Sequence, residues 1–333
     1  LGKPVILVTA ATVSDLAQNL LREGGAEIEF MPGVIDESRL IGALSTGRVA
    51  AVLLRGSPPL TARVFDAARG LRIVAKHGAG VDSVDIAAAT RNGVAVMVAG
   101  GANADAVAEH ALAMMLTLVR ELPRFDRETR QGTWRDLGHF TRDFRERTVG
   151  IIGFGQIGER TARLAQACGA QVLVHTRTAV ALPEGMAREA ELDGLLEHAD
   201  IISLHCPLNE KTRGLIGAAQ FARMKPGAIL INTARGPVVD EPALVAALSS
   251  GRLAAAGLDT FAVEPPDPAN PLFALPNVIV TPHVAAATTH AMVRMGTIAA
   301  NNIISWLRGG IHDPANLLNP EVTAEHLHSR KNP

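Results

Sequence analysis

Three polar residues stand beyond runs of β-forming residues, and their types suit acid–base chemistry on a small organic acid. Arg235 follows Ile229-Leu-Ile-Asn-Thr-Ala and precedes Gly236-Pro. A guanidinium at a strand end offers a planar fork that matches a carboxylate with two parallel hydrogen bonds. Glu264 lies in Gly257-Leu-Asp-Thr-Phe-Ala-Val-Glu-Pro-Pro, where two prolines stiffen the loop that holds it. His283 closes Val278-Ile-Val-Thr-Pro-His. Imidazole is the side chain best suited to proton transfer near neutral pH. A carboxylate bonded to that ring would fix its orientation and favour its charged form. Singly, each residue also fits a plain role: a surface ion pair, a solvated loop charge, a turn cap. What gives the three a joint meaning is the turn that precedes them in the chain.

That turn is Gly153-Phe-Gly-Gln-Ile-Gly158. An apolar strand, Val149 to Ile152, comes before it; a helix is expected over Glu159 to Cys168, then a strand over Val172 to His175. In this setting the motif predicts a dinucleotide site. Gly153 permits the tight turn, Gly155 lets the backbone approach a pyrophosphate, and Gly158 lets helix and strand pack closely. Gln156 and Ile157 lie at the helix start, whose free N–H groups favour phosphate. NAD enzymes usually carry an acidic residue about 20 residues beyond this motif, to hold the ribose 2′-hydroxyl. The window His175-Thr176-Arg177-Thr178-Ala179 has none. Arg177, between the hydroxyls of Thr176 and Thr178, suits a 2′-phosphate, so NADP(H) is the expected cofactor and NAD(H) the alternative.

The elements needed to position these residues follow from the apolar rhythm. Short Val/Ile/Leu/Ala runs alternate with amphipathic stretches, which predicts parallel strands joined by crossover helices. Before the glycine turn, strands are expected over Pro4–Thr9, Val49–Leu54, Arg72–Lys76 and Val94–Val98, and a helix over Ser14–Arg22 closed by Gly24-Gly25. Asp82 and Asp85 are expected to cap the helix toward Arg91. Asn103 to Leu122 reads as a long helix apolar on more than one side, with Pro123 as its end or kink, and Arg124 to Arg147 as a polar stretch. The tail from Asn319 is polar and expected to fray.

Composition narrows the partners. The 333 residues carry a net charge of −1 and only 3% aromatics, with no Tyr, so neither a basic nucleic-acid footprint nor stacking platforms are present. No apolar run is long enough to span a bilayer. The chain runs from Leu1 straight into a predicted strand, so no secretion leader is expected. Cys168 and Cys206 follow no metal-binding spacing and read as two buried thiols in a reducing cytoplasm. No metal, nucleic-acid or membrane partner is expected.

From Val5 to Leu317 the chain resembles the D-isomer-specific 2-hydroxyacid dehydrogenase family. The segments that carry the resemblance are Lys76-His-Gly-Ala-Gly-Val-Asp-Ser-Val-Asp85, Gly150–Gly158, Leu204-His-Cys-Pro-Leu208, Asn232–Gly236, Gly257–Pro266 and Thr281-Pro-His283. The resemblance is strongest to its phosphoglycerate dehydrogenases and glyoxylate/hydroxypyruvate reductases. It implies an α/β fold in which a Rossmann-type cofactor domain, residues 101–286, is inserted into a flavodoxin-like substrate domain, residues 1–100 and 287–333. It implies Arg235 as substrate-binding and Glu264 with His283 as the acid–base pair. Cys206, Pro207, Thr233, Ala234 and Asp259 become cofactor contacts, joined by Ala285 in a Val-Ala-Ala run where relatives carry glycine. Lys76, Gly78, Ala79, Gly80 and Arg55 become substrate contacts. It further implies a homodimer formed through the long helix near Asp105–Arg120 and the arm beyond it. The expected activity is hydride transfer between a nicotinamide and a 2-oxo/D-2-hydroxy acid pair, with a glyoxylate/hydroxypyruvate-type reductase favoured. The alternatives are D-3-phosphoglycerate dehydrogenase and a non-enzymatic dinucleotide sensor of the corepressor type. Glu264 argues against formate dehydrogenase, which carries Gln there.

Overall fold

The computed structural model describes residues 2–56, 58–135 and 138–323. Chain order begins with β1 (Val5–Val8), α1 (Asp15–Glu23), β2 (Glu27–Phe30), α2 (Glu37–Leu44), β3 (Val49–Leu54), α3 (Ala62–Ala67), β4 (Ile73–Lys76), α4 (Ile86–Arg91) and β5 (Ala95–Met97). Two helices follow, α5 (Ala104–Val119) and α6 (Leu122–Arg130). Next come β6 (Thr148–Ile152), α7 (Gln156–Ala167), β7 (Gln171–His175), β8 (Met186–Arg188), α8 (Leu192–His198), β9 (Ile201–Leu204) and α9 (Ala218–Arg223). The order closes with β10 (Ala228–Asn232), α10 (Glu241–Ser249), β11 (Leu253–Leu258), β12 (Val278–Val280) and α11 (Thr289–Leu307). The chain divides into two compact units, Leu1–Asn103 with Ala287–Pro333, and Ala104–Ala286.

The first unit holds a five-stranded parallel sheet in the order β2-β1-β3-β4-β5, the flavodoxin-like arrangement. Its central strands are apolar on both faces because helices cover both. Ile6, Val8, Ala51 and Leu53 pack under α1 and α11, around the buried Trp306. Val5, Leu7, Val52 and Leu54 pack under α2, α3 and α4, around Phe65. Period-2 alternation between two covered faces is why these strands read as continuous apolar runs.

The second unit holds a seven-stranded parallel sheet in the order β12-β11-β10-β9-β6-β7-β8. This is the doubly wound Rossmann order with one further strand at its edge. One face packs on α5 and α7 through Val149, Ile151, Val174, Ile201 and Ile231. The other packs on α8, α9 and α10 through Ile152, Ile202, Leu204, Leu230 and Leu258. The strand order reverses between β6 and β9, which opens a crevice at the C-terminal ends of these two strands.

Three expectations are corrected. Pro123 does not end a helix; it sits in the first turn of α6, where its missing N–H costs nothing. The break is Glu121, whose φ of 50° separates α5 from α6. Part of the polar stretch is therefore helical, supported by i,i+4 pairs of Arg124 with Glu128 and Arg130 with Asp126. Cys168 is exposed and Cys206 only partly buried. Asn319 is 1% exposed: its amide oxygen accepts from Val96 N–H and its amide nitrogen donates to the Val94 carbonyl, so it pins the chain to β5 rather than fraying. The tail expected to fray beyond it, 324–333, lies outside the described residues.

Candidate active site

The glycine turn after β6 is shaped by close approach. Gly153 takes φ 93°, and a Cβ on it would stand 2.8 Å from main-chain atoms of His205 and Cys206, just past β9. A Cβ on Gly158 would stand 2.1 Å from the Gly153 carbonyl oxygen. These two positions admit no side chain, because turn, helix and the segment after β9 close on one another there. Gly155 differs. It is the N-cap of α7, makes no side-chain cap, and a Cβ on it meets no protein atom within 4 Å. The first N–H groups of α7, from Gln156, Ile157 and Gly158, lack an intrahelical acceptor, and the space beside Gly155 is open at the positive end of the helix. This cradle fits a pyrophosphate.

Arg177, two residues past β7, is exposed, with Thr176 half-buried beside it. Burial pushes the Cys206 thiol up, against its own peptide N–H and the nearby Arg177 charge, which pull it down. Arg177 therefore stands within electrostatic reach of Cys206, and the exposed Pro207 follows. At the end of β10, the Thr233 hydroxyl is buried without a protein partner, as is that of Thr260 after β11.

The same two strand ends carry Arg235 and Glu264. Asn232, 1% exposed, bridges its own turn: its amide oxygen accepts from Ala234 N–H and its amide nitrogen donates to the Arg235 carbonyl. A Cβ on Gly236 would stand 1.9 Å from the Phe261 carbonyl group, so only glycine lets the Arg235 turn seat against the loop after β11. In that loop Glu264 Oε1 accepts from Phe261 N–H at 3.1 Å, and Oε2 lies 2.7 Å from His283 Nδ1. Partial burial pushes the Glu264 carboxyl up. The hydrogen bonds from His283 and Phe261, with the charges of His283 and Arg235, outweigh it and hold the group below the usual carboxylate value. Of the three residues expected to act together, Glu264 and His283 are in direct contact, and Arg235 lies within electrostatic reach of Glu264.

His283 has φ 54°, a left-handed backbone that histidine tolerates better than most side chains but that still needs support. Asp259 supplies it. Its carbonyl accepts from His283 N–H at 2.8 Å. Its carboxylate, 1% exposed, accepts from Val284 N–H at 2.8 Å, Ala285 N–H at 2.9 Å and Thr281 Oγ1 at 2.6 Å. Beyond Thr281 stands His110 of α5, whose Nε2 is 3.0 Å from Thr281 Oγ1. His110, Thr281, Asn232 and Gly236 shape these loops without any signature of their own in the sequence. Only the Thr-Pro-His and Asn-Thr-Ala-Arg-Gly runs in which three of them lie point that way.

The remaining candidates belong to the first unit, past β3 and β4. Arg55 donates to the Thr12 carbonyl at 2.8 Å, and the buried Lys76 ammonium donates to the Gly56 carbonyl. Between Lys76 and the loop Gly78-Ala79-Gly80 stands His77, 7% exposed. Burial, with the charges of Arg55 and Lys76, drives its pKa from 6.5 to about 4 despite opposing backbone hydrogen bonds. Among the described residues no group of side chains could hold a metal ion, and no helix is long and apolar enough to cross a membrane.

Comparison with known proteins yields a consistent set. Residues 112–285 match the family model described as D-isomer specific 2-hydroxyacid dehydrogenase, NAD binding domain. The chain is 41% identical over 270 residues to a glyoxylate reductase of Korarchaeum cryptofilum, covering 79% of this chain and 81% of that protein. It is 36% identical over 305 residues to a D-3-phosphoglycerate dehydrogenase of Archaeoglobus fulgidus, covering 91% of this chain. It spans only 57% of that relative's length. Among solved structures, an NADPH-dependent glyoxylate/hydroxypyruvate reductase of Sinorhizobium meliloti, in complex with NADP and malonate, superposes with a TM-score of 0.82 at 31% identity. The match covers 97% of this chain and 98% of that one.

Proposed function

The chain belongs to the D-isomer specific 2-hydroxyacid dehydrogenase family, and on that premise we propose that it reduces a small 2-oxo acid to the D-2-hydroxy acid with a nicotinamide cofactor, and catalyses the reverse oxidation. The observation that carries this reading is the His283–Glu264 pair, with Arg235 close enough to add its charge, in the same unit as the open α7 cradle.

Gly153–Gly158, Thr176, Arg177, Cys206, Pro207, Thr233, Ala234, Asp259 and Ala285 would hold the dinucleotide, whose nicotinamide supplies the hydride in reduction. The rest of the work falls to the chain's own residues. Arg235 binds the substrate carboxylate with its fork and polarises the keto oxygen. His283 donates a proton from Nε2 to the keto oxygen, since its Nδ1 is committed to Glu264, and takes it back in oxidation. Glu264 holds the ring and balances its positive charge.

Glyoxylate or hydroxypyruvate is favoured over a phosphorylated substrate. Arg55 and Lys76, the cations that would receive a phosphate, already donate to main-chain carbonyls. Relatives of both kinds are similar to this chain, so the choice between these substrates rests on the assay. Glyoxylate, hydroxypyruvate, pyruvate and phosphohydroxypyruvate should be assayed with NADPH and NADH. The highest kcat/KM is expected with one of the first two. No turnover of any 2-oxo acid would leave the dinucleotide-sensor reading in place.

NADP(H) is the favoured cofactor because the window His175–Ala179 carries Arg177 and no acidic residue, and Arg177 lies within electrostatic reach of Cys206. One charge-assisted contact of about 1.5–3 kcal/mol corresponds to a roughly ten- to hundredfold preference for NADPH. Thr176→Asp with Arg177→Ser should reverse that preference; an unchanged NADPH/NADH ratio would remove Arg177 from the site.

A homodimer in the cytoplasm completes the reading. Support for the dimer comes from apolar groups left open in the second unit: Leu122, Trp134 and Phe140 are 54%, 78% and 82% exposed. Phe140 also lines a groove of about 590 Å³, with Leu118, Val119, Ile229 and Ile279. Sedimentation of wild type and Trp134→Ala checks it; a monomeric wild type would overturn it.

A further inference from the structure

A chain of three polar groups reaches from α5 to the loop that carries His283. His110 Nε2 lies 3.0 Å from Thr281 Oγ1, and Thr281 Oγ1 lies 2.6 Å from Asp259 Oδ1. A hydroxyl carries one proton, and an ionised carboxylate can only accept. Thr281 therefore gives its proton to Asp259, and its oxygen is an acceptor toward His110. It follows that His110 Nε2 must carry a proton, whether the ring is neutral or charged.

The direction matters because Asp259 holds the whole turn. Its carboxylate takes the N–H groups of Val284 and Ala285 as well as the Thr281 hydroxyl, and its carbonyl takes the His283 N–H. The Thr281 main chain is bound on both sides: its N–H donates to the Leu258 carbonyl, and its carbonyl accepts from His283 N–H at 3.0 Å. The product of these bonds is the left-handed backbone at His283. A hydroxyl free to rotate would leave Asp259 Oδ1 one donor short in a buried place, where an unmatched acceptor is costly.

We propose that His110 is a positioning residue of this dehydrogenase: by donating from Nε2 it fixes the Thr281 hydroxyl on Asp259 and thereby holds the His283 turn in its reactive conformation. His110 touches none of the reacting groups in this reading. It acts from the sheet-facing helix through Thr281 and Asp259, and its contribution does not require a change in its own charge. The proposal rests on the dehydrogenase reading for its catalytic consequence, but not for the hydrogen-bond chain itself.

Three variants and one spectrum test it. His110→Leu removes the donor, and kcat for 2-oxo acid reduction should fall about tenfold, the worth of one hydrogen bond, with substrate KM changed less. His110→Gln can place an amide N–H near the same oxygen and should recover most of the loss, which a merely space-filling role would not predict. Adding Thr281→Val to His110→Leu should cost little more, because both break one chain. Wild-type kcat in His110→Leu, or equal losses in the Leu and Gln variants, would overturn the proposal. Independently of turnover, long-range ¹H–¹⁵N spectra of the imidazoles should show His110 protonated at Nε2 from neutral to alkaline pH. A ring protonated at Nδ1 alone would also overturn it. If the wild type turns over no 2-oxo acid, the dehydrogenase reading fails, and the spectrum still decides whether the hydrogen-bond chain exists.

Discussion

His77 and His283 both follow strand ends in this protein, and they have opposite surroundings. His77, directly after β4, is buried among cations, and those surroundings drive its pKa to about 4, so it is neutral at physiological pH. His283, three residues after β12, is 43% exposed on a strained turn and has a carboxylate on Nδ1. On the proposed function, the same side chain is thus a packing group in one unit and a proton donor in the other. Its role is set by the charges and solvent around the ring, not by its position after a strand.

The sharpest way to break this contrast is to remove His283. His283→Ala should lower kcat by about 10²–10⁴, the usual worth of a general acid, while dinucleotide affinity measured by calorimetry stays near wild type. A variant that keeps near-full turnover would mean His283 is not the donor. The next largest effect is expected at Arg235. Arg235→Lys preserves charge but loses the fork, and kcat/KM should fall by about 10²-fold through weaker, less directed carboxylate binding. Unchanged steady-state constants would dismiss that role.

Glu264 tests the carboxylate side of the comparison. Because its carboxyl is held below the usual value, it stays negative across neutral pH. Glu264→Gln removes that charge, and the reductive pH–rate profile should move to lower pH by about one unit or less. The pair is partly open to solvent, which limits the effect. An unmoved profile would separate Glu264 from the proton transfer.

The smallest effect should come from His77, and it should appear in stability rather than activity at neutral pH. Its pKa is 6.5 before burial and about 4 in the folded unit. Between those values the unfolded chain binds a proton that the folded chain does not. Stability is therefore complete above about pH 6.5 and declines as pH falls toward 4. One such group contributes a slope of up to about 1.4 kcal/mol per pH unit. His205, whose pKa burial also lowers to about 4, adds a second. Chemical denaturation from pH 7 to 4.5 should show the decline, and His77→Gln should flatten it by about one proton. Equal slopes in the two proteins would show that His77 is not buried uncharged.

Much of this architecture is written in local patterns. The apolar runs, the glycine turn with its flanking strand and helix, and the Arg, Glu and His beyond later strands are all visible in the sequence, because strand period, turn chemistry and residue type are properties of neighbours. Asp85 as the cap of α4 belongs to the same class: its Oδ1 accepts from Ala88 N–H three residues on. Pro123 shows the limit of such reasoning, since proline both breaks helices and begins them, and here the positive φ of Glu121 settled which. Only the tertiary structure decided what depends on distant partners. Asn319 is buried because it meets Val96, 223 residues away, and Thr281 is oriented by His110, 171 residues away. The neutral state of His77, the depressed carboxyl of Glu264 and the left-handed turn at His283 arise in the same way. Burial, hydrogen bonding and electrostatic fields are sums over neighbours in space, and a sequence lists neighbours only along the chain.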